Sequence, residues 1–127
     1  MDKNTIGLTD ANDQLVTRLV EAGLFNQDMD AAKYAIGLAM SQGIAPAESP
    51  GIGTKWNVGS FDRDGQLRTV LELLYPDVAE PYRVIEHFAN VGLERIAKEW
   101  ADRRDLNARV LCAICTEVPA QQSNSEK

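Results

Sequence analysis

The first forty-three residues constrain the fold of this chain most strongly, because they contain two helical periodicities that each end at a glycine. Between residues 11 and 20, and again between 32 and 40, apolar residues recur at steps of three and four. That spacing predicts two amphipathic helices. Gly23 and Gly43 follow them, as expected of the left-handed residue that ends a helix. The segment from Asn4 to Leu8 precedes both helices and predicts a short strand.

Polar residues stand where these two helices would begin. Thr9 or Asp10 can cap the first helix, and Asn26 or Asp28 the second, because a side-chain oxygen can accept an unpaired N–H group of the first turn. The second helix is rich in alanine and glycine, and small residues let another helix approach closely. This composition favours a tight contact such as that of a dimer.

The chain changes character after Gly43. Residues 44–60 are rich in proline and glycine, which predicts a loop, and the aromatic residues Trp56 and Phe61 are expected to fix it to the core. A third helix follows, capped by Asp62 or Asp64 and ending before Pro76.

A fourth helix is predicted to begin at Pro81, since proline is favoured at the first helical position. Its apolar stripe keeps its phase through Gly92, which favours one helix to about Arg103, with close packing at the glycine, over two helices broken there. Residues 106–118 fit either a last helix or a strand, and the polar residues 119–127 predict a disordered tail.

The predicted fold is therefore mainly α, with four to five helices in a single domain spanning residues 1–118. Within it, residues 4–43 form a strand-helix-helix unit, 44–60 a loop and 61–118 the C-terminal helices. We expect the N-terminal strand to pair across a homodimer or higher oligomer, because a lone strand leaves its N–H and C=O groups unpaired.

Composition limits the partners and the compartment. The 127 residues fit one domain, and the net charge of −6 disfavours non-specific binding to nucleic acid or anionic lipid. Residues 1–50 carry three basic and seven acidic residues. The chain has no apolar run of about 18 residues, as a membrane span needs, and its N-terminus does not read as a secretory signal. The expectation is a cytoplasmic protein.

The strand and two helices of residues 4–43 resemble the ribbon-helix-helix family. In that family two copies pair their strands into a ribbon that reads the major groove of DNA. The resemblance implies that Lys3, Thr5 and Gly7 point outward, Lys3 and Thr5 toward the bases, while Ile6 and Leu8 point inward. The outline and size are also similar to small DndE-type accessory proteins of DNA phosphorothioation systems, which associate as oligomers.

Two charge features modify this interpretation. The start of the second helix usually holds a DNA phosphate, but here it carries Asp28 and Asp30, whose charges repel one. Basic residues gather instead along the long helix, interleaved with acids, as on a solvated ion-paired face or on a patch for phosphate or an acidic partner. The candidate nucleic-acid-binding residues are Lys3, Thr5, Arg95, Lys98, Arg103 and Arg104.

Three short motifs do not amount to a catalytic or metal site. Asp62-Arg63-Asp64-Gly65 is similar to part of a calcium loop but lacks two ligands, so a helix-capping turn is favoured. Cys112 and Cys115 lack the two further ligands of a structural zinc site and are interpreted as buried cysteines; a metal site shared between two chains is the alternative. His87 has no nucleophile in a recognisable frame. We therefore predict no catalytic residue, metal or cofactor.

The functional prediction is a non-enzymatic regulatory or accessory protein of a DNA-directed system, which acts by oligomerisation and by docking a partner. The alternative is a protein-protein interaction module that binds no nucleic acid. In that alternative Trp56 and Phe61, or the long helix, form the docking surface. An enzyme would instead need a pocket that gathers His87 with Asp62 or Asp64.

Overall fold

A computed structural model describes residues 2–103, and this part of the chain is mainly α, as the sequence predicts. Five helices and one two-stranded antiparallel sheet are present among these residues. In chain order the elements are β1 (Thr5–Ile6), α1 (Asp10–Glu21), α2 (Asp28–Ser41), β2 (Trp56–Asn57), α3 (Val58–Phe61), α4 (Gln66–Leu74) and α5 (Pro81–Arg103).

The first two helices form largely where their periodicity predicts. Thr9 caps α1, since its hydroxyl oxygen accepts from the N–H of Asn12 at 3.2 Å. Gly23 and Gly43 follow the helices with φ of 78° and 71°, the left-handed conformation that glycine adopts at low cost. The predicted cap of α2 is wrong, because the residue before the helix is Gln27 and its side chain makes no capping hydrogen bond.

The principal packing contact joins α2 to α5. A Cβ added at Gly92 would lie 2.0 Å from the backbone oxygen of Ala35, so only glycine allows the two backbones to approach this closely. The predicted close packing at Gly92 is confirmed, and α5 runs unbroken through it. The interpretation of the small residues of α2 as a dimer contact is corrected, because Ala31, Ala32, Ala35 and Ala39 are buried within the chain itself.

The N-terminal strand also finds its partner within the chain. β1 pairs with β2, with Thr5 opposite Asn57 and Ile6 opposite Trp56. The N–H of Lys55 donates to the oxygen of Ile6 at 2.9 Å, and the N–H of Val58 to that of Asn4 at 2.9 Å. The prediction that this strand pairs across a dimer is therefore wrong, since the loop predicted over residues 44–60 supplies the second strand.

The long helix α5 organises the core. Pro81 is its first residue, as predicted, and its buried face includes Ile85, Phe88, Leu93 and Ile96. Among residues 2–103, no helix combines the length and the apolar character that crossing a membrane requires. The predictions for residues 106–118 and 119–127, and for Cys112 and Cys115, lie outside the described residues.

Candidate functional site

Two regions of the described chain hold side chains that simple core packing does not explain. The first is a buried polar cluster on α5, formed by Glu86 and Asn90. Glu86 is 0% exposed, and its carboxylate accepts from the N–H of Gly7 at 2.7 Å and from the hydroxyl of Ser49 at 2.5 Å. The Lys3 ammonium lies 3.3 Å from the same carboxylate.

Asn90 continues the polar cluster one helical turn further along α5. Its side-chain oxygen accepts from the N–H of Thr9 and from the side chain of Asn12, at 3.0 and 2.9 Å. Its side-chain NH2 donates to the backbone oxygens of Gly7 and Glu86, at 3.1 and 2.9 Å. A buried polar group is tolerated when it is hydrogen-bonded. These two side chains therefore fix β1 and the start of α1 onto α5.

The second region begins with the turn before α4. The Asp62 carboxylate accepts from the N–H groups of Leu67 and Arg68, at 2.9 and 3.1 Å, and so caps the helix. This confirms the helix-capping interpretation of the Asp62 motif. The phenol of Tyr82 donates to the same carboxylate at 2.9 Å. Burial, followed by this hydrogen bond, raises the pKa of Tyr82 to about 12.

The position of α4 leaves much of its apolar side exposed. Leu71 is 1% exposed and packs into the core, whereas Val70, Leu73 and Leu74 are 42%, 76% and 58% exposed. With about 3.6 residues per turn, the three exposed side chains and the half-buried Leu67 all turn to the same side of Leu71. These four residues are named the α4 apolar surface.

A groove borders this surface, between α4 and α2. Its volume is about 310 Å³, and Leu67 and Val70 of the α4 apolar surface form one wall. Lys33 of α2 stands on the other side, with its ammonium 5.5 Å from the centroid of the buried Phe61 ring. Arg63, Asp62, Asp64 and Gln66 complete the lining. This space is named the α4 groove.

The cations of the α4 groove form no ion pair, as is also true of Arg18 and Arg95 elsewhere in the described chain. Lys33 and Arg63 are exposed, and neither forms an ion pair with a described carboxylate. By contrast Arg68, on the other side of α4, pairs with Glu72 at 3.2 Å. The Asp62 carboxylate is occupied by three donors, so Asp64 is the one exposed acid in the lining.

The described residues that are predicted to contact nucleic acid lie on two elements, Lys3 and Thr5 at β1 and Arg95 and Lys98 on α5. Lys3 is 12% exposed and turned toward Glu86, so its predicted outward orientation is wrong, and Gly7 is buried rather than outward. Thr5 is half-buried in the sheet. Arg95 is half-buried and Lys98 pairs with Asp102 at 3.1 Å. Arg104 and the side chain of Arg103 lie outside the described residues.

The predicted docking residues and the histidine occupy other places. Trp56 is half-buried and its ring lies 5.2 Å from that of Phe61, which is 0% exposed. Phe61 therefore supports the α4 groove from below and is not available to a partner. His87 is half-buried beside Phe88 and does not line the groove that contains Asp62 and Asp64. Within residues 2–103, no group of three or more metal-ligating side chains forms.

The sequence prediction missed the features that define both regions. The sequence patterns assign no role to Glu86, to Asn90 or to the leucines of α4. No local signal identifies Glu86 or Asn90 as buried, because their partners lie about 80 residues away. The adjacent pair Leu73-Leu74 could have indicated an exposed apolar side chain on α4, since two neighbouring positions on a helix cannot both face one narrow core contact.

Comparison of the chain with protein-family models, with characterised proteins and with solved structures found no match.

Proposed function

We propose that this chain is a protein-interaction module that binds its partner through the α4 apolar surface. The observation that carries the proposal is the exposure of Val70, Leu73 and Leu74 on one side of a single helix. Single exposed apolar residues are ordinary, but a contiguous group beside a groove is typical of an interaction site. The sequence placed the docking surface at Trp56 and Phe61, and the α4 groove lies directly over Phe61.

The proposal favours the interpretation without nucleic-acid contact over an accessory role in a DNA-directed system. Base readout by a ribbon needs a strand open to a second copy and a basic residue that points outward. Here β1 pairs with β2, and Lys3 contacts Glu86. The accessory role remains a separate prediction, and so does the homodimer.

A titration of the full chain with DNA at two salt concentrations separates these two functions. The interaction module predicts no binding at either concentration. A DNA-binding protein would show an affinity that falls steeply with salt, because phosphate contacts release counterions. Such a salt-dependent affinity, lost in a Lys98→Gln or Arg95→Gln variant, would contradict the proposal.

The docking surface itself is tested with an uncharged amphipathic helical peptide of leucine and glutamine. We expect the peptide to shift the amide NMR signals of α4 and of residues around Lys33. A Leu73→Ser/Leu74→Ser variant removes the exposed apolar side chains and should abolish the shifts. The matched control is Arg68→Gln, on the opposite side of the same helix, which should leave them unchanged.

A further inference from the structure

We propose that the partner segment is an amphipathic helix whose apolar face is flanked by acidic residues. This inference rests on the proposed function, since it specifies what the α4 apolar surface binds. Two independent features of the α4 groove support it: the spacing of its apolar side chains and the position of its cations.

The apolar side chains match a helical ligand. Leu67, Val70 and Leu74 lie at steps of three and four along α4, so they form one ridge. A partner helix with anchors at the same spacing can lay its apolar face along such a ridge and into the neighbouring groove. The nine residues of α4 span about 13 Å, which corresponds to between two and three helical turns of a ligand.

The exposed charges of the α4 groove favour an acidic ligand, because its two exposed cations outnumber Asp64, the one exposed acid in the lining. Lys33 and Arg63 flank the α4 groove from α2 and from the turn before α4, and neither is paired with a carboxylate among the described residues. A helix that buries its apolar face here brings its flanking residues beside these two cations. Glutamate or aspartate at those positions forms two new ion pairs, whereas lysine or arginine is repelled.

The same charges argue against a second copy of this chain as the occupant. In a twofold contact the same patch is used on both copies, so two α4 grooves would meet, and the one exposed acid of each would leave part of the charge of Lys33 and Arg63 uncompensated. The net charge of −6 opposes the approach of any acidic partner at long range. That repulsion is screened over about 8 Å at physiological ionic strength, whereas ion pairs in contact act at shorter distance.

Three helical peptides test the inference against the full chain. They share one length and one leucine pattern, and their flanking residues are glutamate, glutamine or lysine. Affinities are measured from NMR shifts at two salt concentrations. We expect the glutamate peptide to bind about tenfold more tightly than the lysine peptide at low salt, given two exposed ion pairs, and the difference to shrink at high salt.

Two variants identify the residues responsible. Lys33→Gln/Arg63→Gln should remove the preference for glutamate and leave the affinity of the glutamine peptide unchanged. Arg68→Gln, on the opposite side of α4, should leave the preference intact. Circular dichroism and urea unfolding of each variant verify that the fold is kept, and all three substitutions are at exposed positions, where large losses of stability are not expected.

The outcomes distinguish the inference from the function on which it rests. Equal affinity for all three peptides, or a preference that survives in Lys33→Gln/Arg63→Gln, overturns the acidic ligand and leaves the interaction module standing. Failure of every peptide to bind overturns the proposed function as well. If light scattering shows a dimer that Leu73→Ser/Leu74→Ser converts to a monomer, the occupant is a second copy and the inference is wrong.

Discussion

The polar cluster on α5 and the α4 apolar surface are opposite in their exposure to water. On α5 the polar side chains Glu86 and Asn90 are fully buried, and every hydrogen-bonding group around them is matched over distances of 2.5–3.3 Å. On α4 the apolar side chains Val70, Leu73 and Leu74 are left in water. One region is polar and closed, and the other is apolar and open.

This difference separates residues that maintain the fold from residues that are available to a partner. Burying a charged group costs free energy unless its partners compensate, so the cluster around Glu86 is sensitive to any change. Exposed leucines contribute little to folding, because their surface remains in water. The largest effects on stability should therefore come from the polar cluster on α5 and the smallest from the exposed leucines of α4.

The largest expected effect is that of Glu86→Ala. It removes the acceptor of the Gly7 N–H, the Ser49 hydroxyl and the Lys3 ammonium while these groups stay buried or nearly so. We expect the free energy of unfolding to fall by about 3–5 kcal/mol. The control is Glu72→Ala on α4, whose exposed pair with Arg68 should matter by less than about 0.5 kcal/mol. Urea unfolding compares the two, and equal losses would contradict the distinction between the regions.

Gly92→Ala tests the closed region at its tightest backbone contact. The new Cβ meets the Ala35 oxygen, so α2 and α5 must separate, and we expect a loss of about 3 kcal/mol, the upper end for overpacking. Gly37→Ala is the matched control within α2, where a Cβ meets no atom within 4 Å. There alanine should be neutral or stabilise by up to about 1 kcal/mol. Calorimetry measures both, and a stable Gly92→Ala protein would show that the helices do not approach this closely.

Tyr82→Phe tests the hydrogen bond that joins α5 to the turn before α4. Because the folded protein raises the pKa of Tyr82 from 10.0 to about 12, the neutral phenol stabilises the fold. That contribution is fully present below about pH 10 and is lost as the pH rises toward 12. The variant should lose about 1 kcal/mol near neutral pH.

At alkaline pH a second group, Lys55, also changes the free energy of unfolding, and its contribution must be separated from that of Tyr82. The pKa of Lys55 is raised above its ordinary value, chiefly by the hydrogen bond to Asp13. The contribution of Lys55 to stability is therefore also lost as the pH increases. Unfolding at several alkaline pH values, for the wild type, Tyr82→Phe and Lys55→Gln, distinguishes them. A slope unchanged in Tyr82→Phe would show that the phenol does not titrate with folding.

Leu73→Ser has the smallest expected effect on stability. The side chain is 76% exposed, so the free energy of unfolding should change by less than about 0.5 kcal/mol. Leu71→Ser, two residues earlier, places a hydroxyl at a position 1% exposed, and we expect it to cost at least about 3 kcal/mol. If both substitutions lower the free energy of unfolding in urea equally, Leu73 is buried in solution, and the α4 apolar surface is already covered.

Local sequence patterns were sufficient to predict the ends of α1 and α5 and the close packing at Gly92. The start at Pro81, the end of α1 before Gly23 and the close packing at Gly92 depend on properties of single residues and their near neighbours. Each was predicted from the sequence, because helix capping and periodicity are local.

The partners of those helices could not be predicted in the same way. The strand β2 is only two residues long and lies within a segment rich in proline and glycine, so the sequence shows no alternation that would predict it. Without a visible partner strand in the chain, the sequence predicts that β1 pairs with a second copy. The burial of Glu86 and its contact with Lys3 could not be predicted, because nothing near either residue in the sequence indicates them. The α4 groove depends on Lys33 and Leu67, which come together through tertiary packing alone.

The carboxylate that caps the start of α5 belongs to Asp2, which accepts from the N–H groups of Tyr82 and Arg83 at 3.0 and 3.2 Å. The beginning of the chain therefore completes a helix that is synthesised about 80 residues later. Such closure is costly in chain entropy and slows folding. During synthesis the strand β1 can pair with β2 first, but the Asp2 carboxylate has no helix to cap until α5 has been made.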